Sequence, residues 1–331
     1  MVRIGINGFG RIGRDAARII LGRSDVALEA INSASDSSSH AYLLKHDSVY
    51  GLFPEDVSSD NASIIVKGKK ILCFQEKDPE NIPWHKADVA VVLECTGKYR
   101  NTADSSRHIR NSVQKVIISS PAKDDTPTYI MGVNHTLYKG EPVISNSSCT
   151  TNCVACVLAI LDKTFGVVRG TMTTIHAITD SQNLLDNSHS KAVRLRRNSL
   201  VNLIPASSGS AQDMTKLFPH LADKLPCRAI RVPIPTVSLV EMTVEIKRST
   251  TKDTVNTIFR DASANELTGI LSVASEELVS SDFIGSPYSA VLDPYLTDVV
   301  NGTLVHITAW YDNEWGYTNR LVEMACYIGS K

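Results

Sequence analysis

The sequence predicts an α/β protein, with a parallel sheet covered by helices in its first part and an α+β domain with a mostly antiparallel sheet in its second. Three observations predict this. Apolar strands alternate with helical patterns through the first third, as in βαβ units. The second half switches to the two-residue alternation of strands with one buried face. The chain has 331 residues, enough for about two domains and a well-buried core.

The elements follow in order. "VRIGIN" (2–7) reads as a buried strand. "RIGRDAARIILG" then places Ile12, Ala16, Ile19 and Ile20 on one helical face, with Gly22 as the stop. "VALEAIN" (26–32) is the next strand, and "VAVVLECTG" (89–97) and "KVIISSPA" (115–122) are two more. A helical run over 149–165 opens the second half. "TMTTIHAITD", "SLVEMTVEIKRS" and "LVHITAWYDN" alternate as antiparallel strands do. Between the first two, 178–208 is polar and rich in Ser, Asn and Arg, and it reads as a long functional loop. The segment 314–330 is weakly helical and could return to the first domain.

Composition excludes some functions. Hydrophobic residues are 43%, charged residues 21%, and the formal net charge is −1. Nothing here favours a nucleic-acid or membrane partner. The N-terminus carries charge throughout and no apolar run is long enough to span a bilayer. Seven cysteines stand at irregular spacing, an odd number that suits free thiols in a reducing compartment. The expected location is the cytoplasm. No second Cys/His pair stands at a zinc-ligand spacing from Cys149 and Cys153, so no metal is expected.

"GFGRIG" sets Gly8, Gly10 and Gly13 in G-x-G-x-x-G spacing, between a predicted strand and a predicted helix. Glycines there permit a tight turn and close approach of a pyrophosphate, whose charge meets the helix N-terminus. The first domain is therefore expected to be Rossmann-type and to bind a dinucleotide. It spans 1–148 with 314–331 returning to it, and 149–313 forms the catalytic domain. Such domains usually carry an acid at the end of the second strand, facing the ribose 2′-hydroxyl. Here the strand ends "AINSASD", with Ser33 at that position and Asp36 placed to cap the next helix. The adenosine end does not select NAD over NADP.

"SNSSCTTNC" (145–153) places Cys149 at the first turn of the next helix, with Ser145 to Ser148 as sources of capping hydroxyls. A helix N-terminus is expected to lower the thiol pKa and make Cys149 a nucleophile. Cys153 lies one turn deeper and reads as packed. A disulfide between the two suits one helix poorly. A nucleophile needs a base, and His176 sits on the otherwise apolar "TTIHAIT". Taken alone, a histidine on such a strand is more often a satisfied core residue. Thiol, imidazole and dinucleotide together suggest covalent oxidation of an aldehyde through a thioester.

"INGFGRIGR", "SNSSCTTNC", "IHAITDSQN" and "WYDNEWGY" resemble the phosphorylating glyceraldehyde-3-phosphate dehydrogenases in order and spacing along the whole chain. The resemblance implies NAD or NADP as cofactor and reversible conversion of glyceraldehyde 3-phosphate and inorganic phosphate to 1,3-bisphosphoglycerate, within a homotetramer. It implies that Arg11 and Ile12 touch the pyrophosphate, Ser119 lines the nicotinamide side, and Asn313 holds the carboxamide. Cys149 would be the nucleophile, with His176 activating it and donating to the thiohemiacetal oxygen. Thr179 and Arg231 would hold the C3 phosphate. Ser148, Thr150, Ser208 and Gly209 would bind the attacking phosphate.

The chain departs from the family pattern at several positions. Ser33 replaces the usual Asp, Lys77 an Arg, and Ser188 a Pro. These three could together receive a 2′-phosphate, so dual use of NAD and NADP is expected. Ile178, Asp180 and Ser181 are substitutions, and Asp180 adds negative charge near the phosphate pocket. The run Arg194, Leu195, Arg196, Arg197 is shifted by one step, which leaves open the arginine that supports phosphate. Rival readings are an erythrose-4-phosphate dehydrogenase, a semialdehyde dehydrogenase, or a non-catalytic scaffold on the same fold.

Overall fold

The computed structural model describes residues 1–190 and 192–331. The chain forms two compact units, Met1–Ser147 with Thr318–Lys331, and Ser148–Tyr317.

The first unit starts β1 (Val2–Asn7), α1 (Arg11–Leu21), β2 (Val26–Asn32) and α2 (Ser37–Lys45). A small hairpin, β3 (His46–Asp47) and β4 (Gly51–Leu52), follows. Next come β5 (Val57–Asp60), β6 (Ser63–Val66), β7 (Lys69–Phe74), β8 (Val91–Glu94), α3 (Thr102–Ser106), β9 (Lys115–Ile118) and β10 (Val143–Ser145). The sheet order is β10-β9-β8-β1-β2-β7-β6-β5. Pairing is parallel from β10 through β7 and antiparallel across β7, β6 and β5. The expected parallel sheet is thus extended by an antiparallel edge that the sequence reading missed. Those edge strands are short, and a four-residue run carries too little alternation to stand out.

Continuous apolar runs build this sheet because both its faces are covered. Ile4, Ile6, Leu28, Ile31, Val92 and Ile117 are all at most 2% exposed. Helix α1 buries Ala16, Ala17, Ile19 and Ile20 and stops at Gly22, as expected. Asp36 caps α2 by accepting from the Ser39 amide. Ile12, expected on the buried face of α1, is only partly buried.

The second unit opens with α4 (Cys149–Phe165), β11 (Val167–His176), β12 (Ile204–Ser207), α5 (Ser210–Leu217), β13 (Cys227–Arg231) and β14 (Ser238–Ile246). It continues with α6 (Lys252–Ala264), β15 (Leu271–Val273), β16 (Ala290–Leu292), β17 (Asp298–Val300), β18 (Leu304–Tyr311) and α7 (Trp315–Gly329), whose residues from Thr318 belong to the first unit. The sheet order is β12-β13-β11-β14-β18-β16-β15, with β17 on β18. Most pairs are antiparallel, while β11–β13 and β15–β16 are parallel. Helix α4 packs on β11, β14, β16 and β18. Its Cys153, Val154, Leu158 and Leu161 are fully buried. The loop expected over 178–208 ends in a strand, since Ile204–Ser207 pairs antiparallel with β13. Pro205 within "LIPAS" hid that strand, and it is tolerated because β12 is the sheet edge.

No described helix is long and apolar enough to cross a membrane. All seven cysteines are free thiols.

Candidate active site

Sheet register assembles the centre of the second unit. β11 and β13 run parallel, and His176 is paired with Arg231. Both therefore project from the same face of neighbouring strands. Cys149 is the first residue of α4, directly after the cap Ser148, whose hydroxyl accepts from the Thr151 amide at 3.0 Å. Of the hydroxyls expected to cap α4 only Ser148 does so. Ser145 instead donates to the Ser120 carbonyl, and Ser147 sits at φ 57°, a strained turn into the helix.

Cys149 Sγ lies 3.5 Å from His176 Nε2. On the other side of the ring, Nδ1 is 2.6 Å from Arg231 Nη1 and 2.7 Å from the Ala177 carbonyl oxygen. Burial, helped by the Arg231 charge, lowers the His176 pKa to about 3, so the imidazole is neutral. The thiol corrects an expectation. Crowding by protein raises the Cys149 pKa, against the opposing pull of Arg231 and of the Thr150 backbone N–H. Desolvation of the charged form outweighs the helix terminus. The residue keeps part of its surface open to solvent, which limits that rise. Cys153 is fully buried and its thiol is pushed well up, as befits a packed residue.

A chain of hydroxyls lies beneath the thiol. Thr150 Oγ1 is 2.9 Å from the Tyr311 hydroxyl, which is 2.8 Å from Thr174 Oγ1. Thr174 donates to the Leu239 carbonyl. Each hydroxyl has one proton, so Tyr311 donates to Thr174 and Thr150 donates to Tyr311. The Thr150 proton is thereby engaged, leaving its backbone N–H at the helix terminus. Thr179 is partly buried, its hydroxyl 3.1 Å from that of Ser181. Asp180 is exposed. Ser208 accepts from the Ser210 amide, and Gly209 precedes α5 with no side-chain cap. Asn313 is buried and accepts from the Ser238 hydroxyl at 2.9 Å. Ser188 is exposed on its loop, its amide donating to Asn187 Oδ1. Within the basic run, Arg197 is paired with Asp186 at 3.2 Å, and Arg194 and Arg196 are exposed.

The glycine motif of the first unit forms a cradle. Gly8 has φ +94°, and a Cβ there would meet the Cys95–Thr96 backbone at 2.7 Å. A Cβ on Gly13 would stand 2.1 Å from the Gly8 carbonyl oxygen. Gly10 has nothing within 4 Å of its would-be Cβ, and no side chain caps α1 there. The turn is thus locked at two glycines and open at the third, at a helix start that no side chain caps. Arg11 pairs with Asp47 and lies over the Tyr50 ring. Ser33 donates its amide to the Phe74 carbonyl and is partly exposed. Lys77 is exposed, and Ser119 donates its hydroxyl to the Glu94 carbonyl at 2.9 Å.

Two buried groups escaped the sequence reading. Glu94, 1% exposed, accepts from Asn7 at 2.6 Å, from the Thr96 amide at 2.9 Å and from His108 at 3.1 Å. This network ties the ends of β1 and β8 to the loop that follows. The signal available was an acid inside the apolar run "VVLECTG". Tyr311 was quoted only as part of a motif, and nothing local predicted its bond to Thr150, 161 residues away.

A parallel sheet with a glycine-rich first turn, joined to a thiol–imidazole–guanidinium centre, defines a nucleotide-dependent dehydrogenase of the α/β class. Family models agree. Residues 148–313 match the glyceraldehyde 3-phosphate dehydrogenase C-terminal domain, and residues 2–102 match its NAD binding domain. The chain is 45% identical over 333 residues to glyceraldehyde-3-phosphate dehydrogenase 1 of Bacillus cereus, covering 100% of this chain and 99% of the relative. It is 42% identical over 332 residues to the Geobacillus stearothermophilus enzyme of that name, with the same coverage. It is 44% identical over 330 residues to the chloroplastic A form of Zea mays, covering 98% of this chain and 81% of the relative. The chain belongs to the glyceraldehyde 3-phosphate dehydrogenase family.

Proposed function

We propose that this protein catalyses the reversible, phosphorylating oxidation of D-glyceraldehyde 3-phosphate to 1,3-bisphosphoglycerate, in glycolysis or gluconeogenesis. The observation that carries this reading is Cys149 Sγ at a helix N-terminus, 3.5 Å from the neutral His176, with Arg231 alongside.

Cys149 sulfur attacks the aldehyde carbon and His176 Nε2 takes the thiol proton. The imidazolium N–H then donates to the oxygen of the adduct. Arg231 and Thr179 hold the C3 phosphate, for which a guanidinium offers a charged fork. An oxidised nicotinamide, when bound, supplies the hydride acceptor. A thioester on Cys149 remains. Ser148 and the Thr150 amide at α4, with Ser208 and Gly209 before α5, hold the inorganic phosphate that attacks it. The thiolate leaves.

The residues of the first unit fit a dinucleotide. The open Gly10 and the uncapped amides of α1 suit a pyrophosphate, with Arg11 and Ile12 at the same turn. Ser119 would line the nicotinamide side. We read the protein as using both NAD and NADP, because Ser33 lacks the charge that repels a 2′-phosphate and Lys77 is an exposed cation. An advantage of about 10³-fold in kcat/KM for NAD sinks dual use.

The exposed Leu184, Leu185, Val193, Leu200, Val201 and Leu203, each at least 52% exposed, support a homotetramer. A monomer in light scattering at micromolar concentration counts against it. Seven free thiols support a cytoplasmic location.

The test is steady-state turnover on glyceraldehyde 3-phosphate and on erythrose 4-phosphate, each with and without inorganic phosphate. Phosphate-dependent turnover on the triose is expected. Phosphate-independent turnover on erythrose 4-phosphate, or none on either, overturns the reading.

A further inference from the structure

Ser238, 2% exposed, opens β14 opposite Tyr311 at the end of β18, and Asn313 follows Tyr311 two residues later. The Ser238 hydroxyl oxygen accepts from the Ala177 amide at 3.1 Å and stands 2.9 Å from Asn313 Oδ1. A hydroxyl carries one proton. With the oxygen already taking the Ala177 N–H, that proton goes to Asn313 Oδ1. The amide turned the other way would present its NH2 to Ser238 and leave a buried hydroxyl proton without an acceptor. The network therefore fixes the amide with its oxygen inward. Asn313 Nδ2 has no hydrogen-bond partner among the described residues and is not one of the polar atoms sealed from solvent.

The backbone is strained to reach this contact. Val237 has φ +67°, in the left-handed region where a β-branched residue is an outlier. It is held there by an apolar cluster with Ala274, Phe283 and Val291. On either side of it, Thr236 donates to Asp312 Oδ1 at 3.3 Å and Ser238 donates to Asn313 Oδ1. Asp312 also takes the amides of Gly285, Glu314 and Trp315, which fixes the backbone beside Asn313. Strain of this kind persists only where the surroundings over-determine it, and it clusters at ligand sites.

We propose that Ser238 is a positioning residue for the cofactor: it fixes the Asn313 amide so that the NH2 end, a donor, is offered to the carbonyl oxygen of the nicotinamide carboxamide. This rests on the functional reading above, in which Asn313 holds that carboxamide. Ser238 acts through Asn313 alone and is not itself a ligand of the cofactor. The same hydroxyl anchors the Ala177 amide, directly after His176 at the end of β11. One buried side chain thus ties the group that grips the nicotinamide to the strand that carries the base.

The experiment is isothermal titration of wild type, Ser238→Ala and Asn313→Ala with three nucleotides. NAD carries the whole carboxamide. 3-Acetylpyridine adenine dinucleotide keeps the carbonyl oxygen but has a methyl group in place of the NH2. ADP-ribose lacks the nicotinamide. Ser238→Ala is expected to weaken NAD and the acetylpyridine analogue alike, by about 5-fold to 10-fold, the worth of one neutral hydrogen bond. ADP-ribose affinity should stay unchanged. A loss for NAD but not for the analogue overturns the proposal, because Asn313 then accepts from the carboxamide NH2. No loss for either dinucleotide overturns it as well. So does an equal loss for ADP-ribose, which marks a purely structural role. Asn313→Ala separates the two readings. NAD affinity indifferent to Asn313→Ala removes Asn313 from the cofactor site and ends both. NAD affinity that falls in Asn313→Ala but not in Ser238→Ala ends this inference alone.

Discussion

His176 and Arg231 are register partners on adjacent parallel strands, and that pairing puts Arg231 Nη1 2.6 Å from His176 Nδ1. The opposite ring nitrogen faces Cys149. Thiol, ring and guanidinium thus form a row whose order comes from one strand pairing and one helix start.

Replacing the nucleophile tests the centre directly. Cys149→Ser keeps the helix start, since Ser148 and not Cys149 caps α4. Dehydrogenase turnover is expected to fall by ~10³-fold or more, because a hydroxyl is a far weaker nucleophile at neutral pH. The circular dichroism spectrum should be unchanged. Retained turnover would place the chemistry elsewhere.

The His176 pKa predicts how stability depends on pH. It falls from an ordinary 6.5 to about 3 in the fold. Between those values the unfolded chain binds the extra proton and the native protein does not. The contribution is fully present above about 6.5 and is lost as pH drops toward 3, by at most about 1.4 kcal/mol per pH unit. Urea midpoints near pH 7.5 and pH 5 should decline less in His176→Asn than in wild type. Equal declines count against a neutral buried ring.

The two inner glycines of the first turn should respond differently. Gly13→Ala forces a Cβ to within 2.1 Å of a backbone oxygen and should cost about 1–3 kcal/mol of stability. Gly10→Ala meets nothing in the protein, so its melting temperature should hold while dinucleotide affinity drops. Isothermal titration with NAD and thermal melts separate the two. Full NAD affinity in Gly10→Ala would remove Gly10 from the cofactor cradle.

Cofactor choice is testable at Ser33. A carboxylate there faces a 2′-phosphate with like charge, which costs several kcal/mol when close. Ser33→Asp should lower kcat/KM for NADP by about 10-fold or more and leave NAD nearly untouched. An unchanged ratio would show that Ser33 does not face the 2′ position.

Long, uniform elements were legible. The strand 2–7 and the helix 149–165 lie where their apolar runs placed them, since a buried run or a capped helix is specified by neighbours in sequence. The edge strands β5 to β7 and the strand Ile204–Ser207 were not legible. They are short, and their pairing is set by a partner strand distant in sequence. The thiol pKa was misread for a related reason. A helix terminus is visible in sequence, but the desolvation that outweighs it depends on everything packed around the sulfur.

By itself the sequence determined the fold class, the glycine turn, and Cys149 at the start of its helix. Each depends on composition and spacing within about twenty residues, where backbone geometry leaves few choices. Only the tertiary structure decided that His176 faces both Cys149 and Arg231, and that the Thr150 hydroxyl is engaged by Tyr311. Those relations join residues 27, 55 and 161 positions apart. They exist only once strand register and helix packing have brought the segments together, and register is a property of the pairing, not of either strand alone.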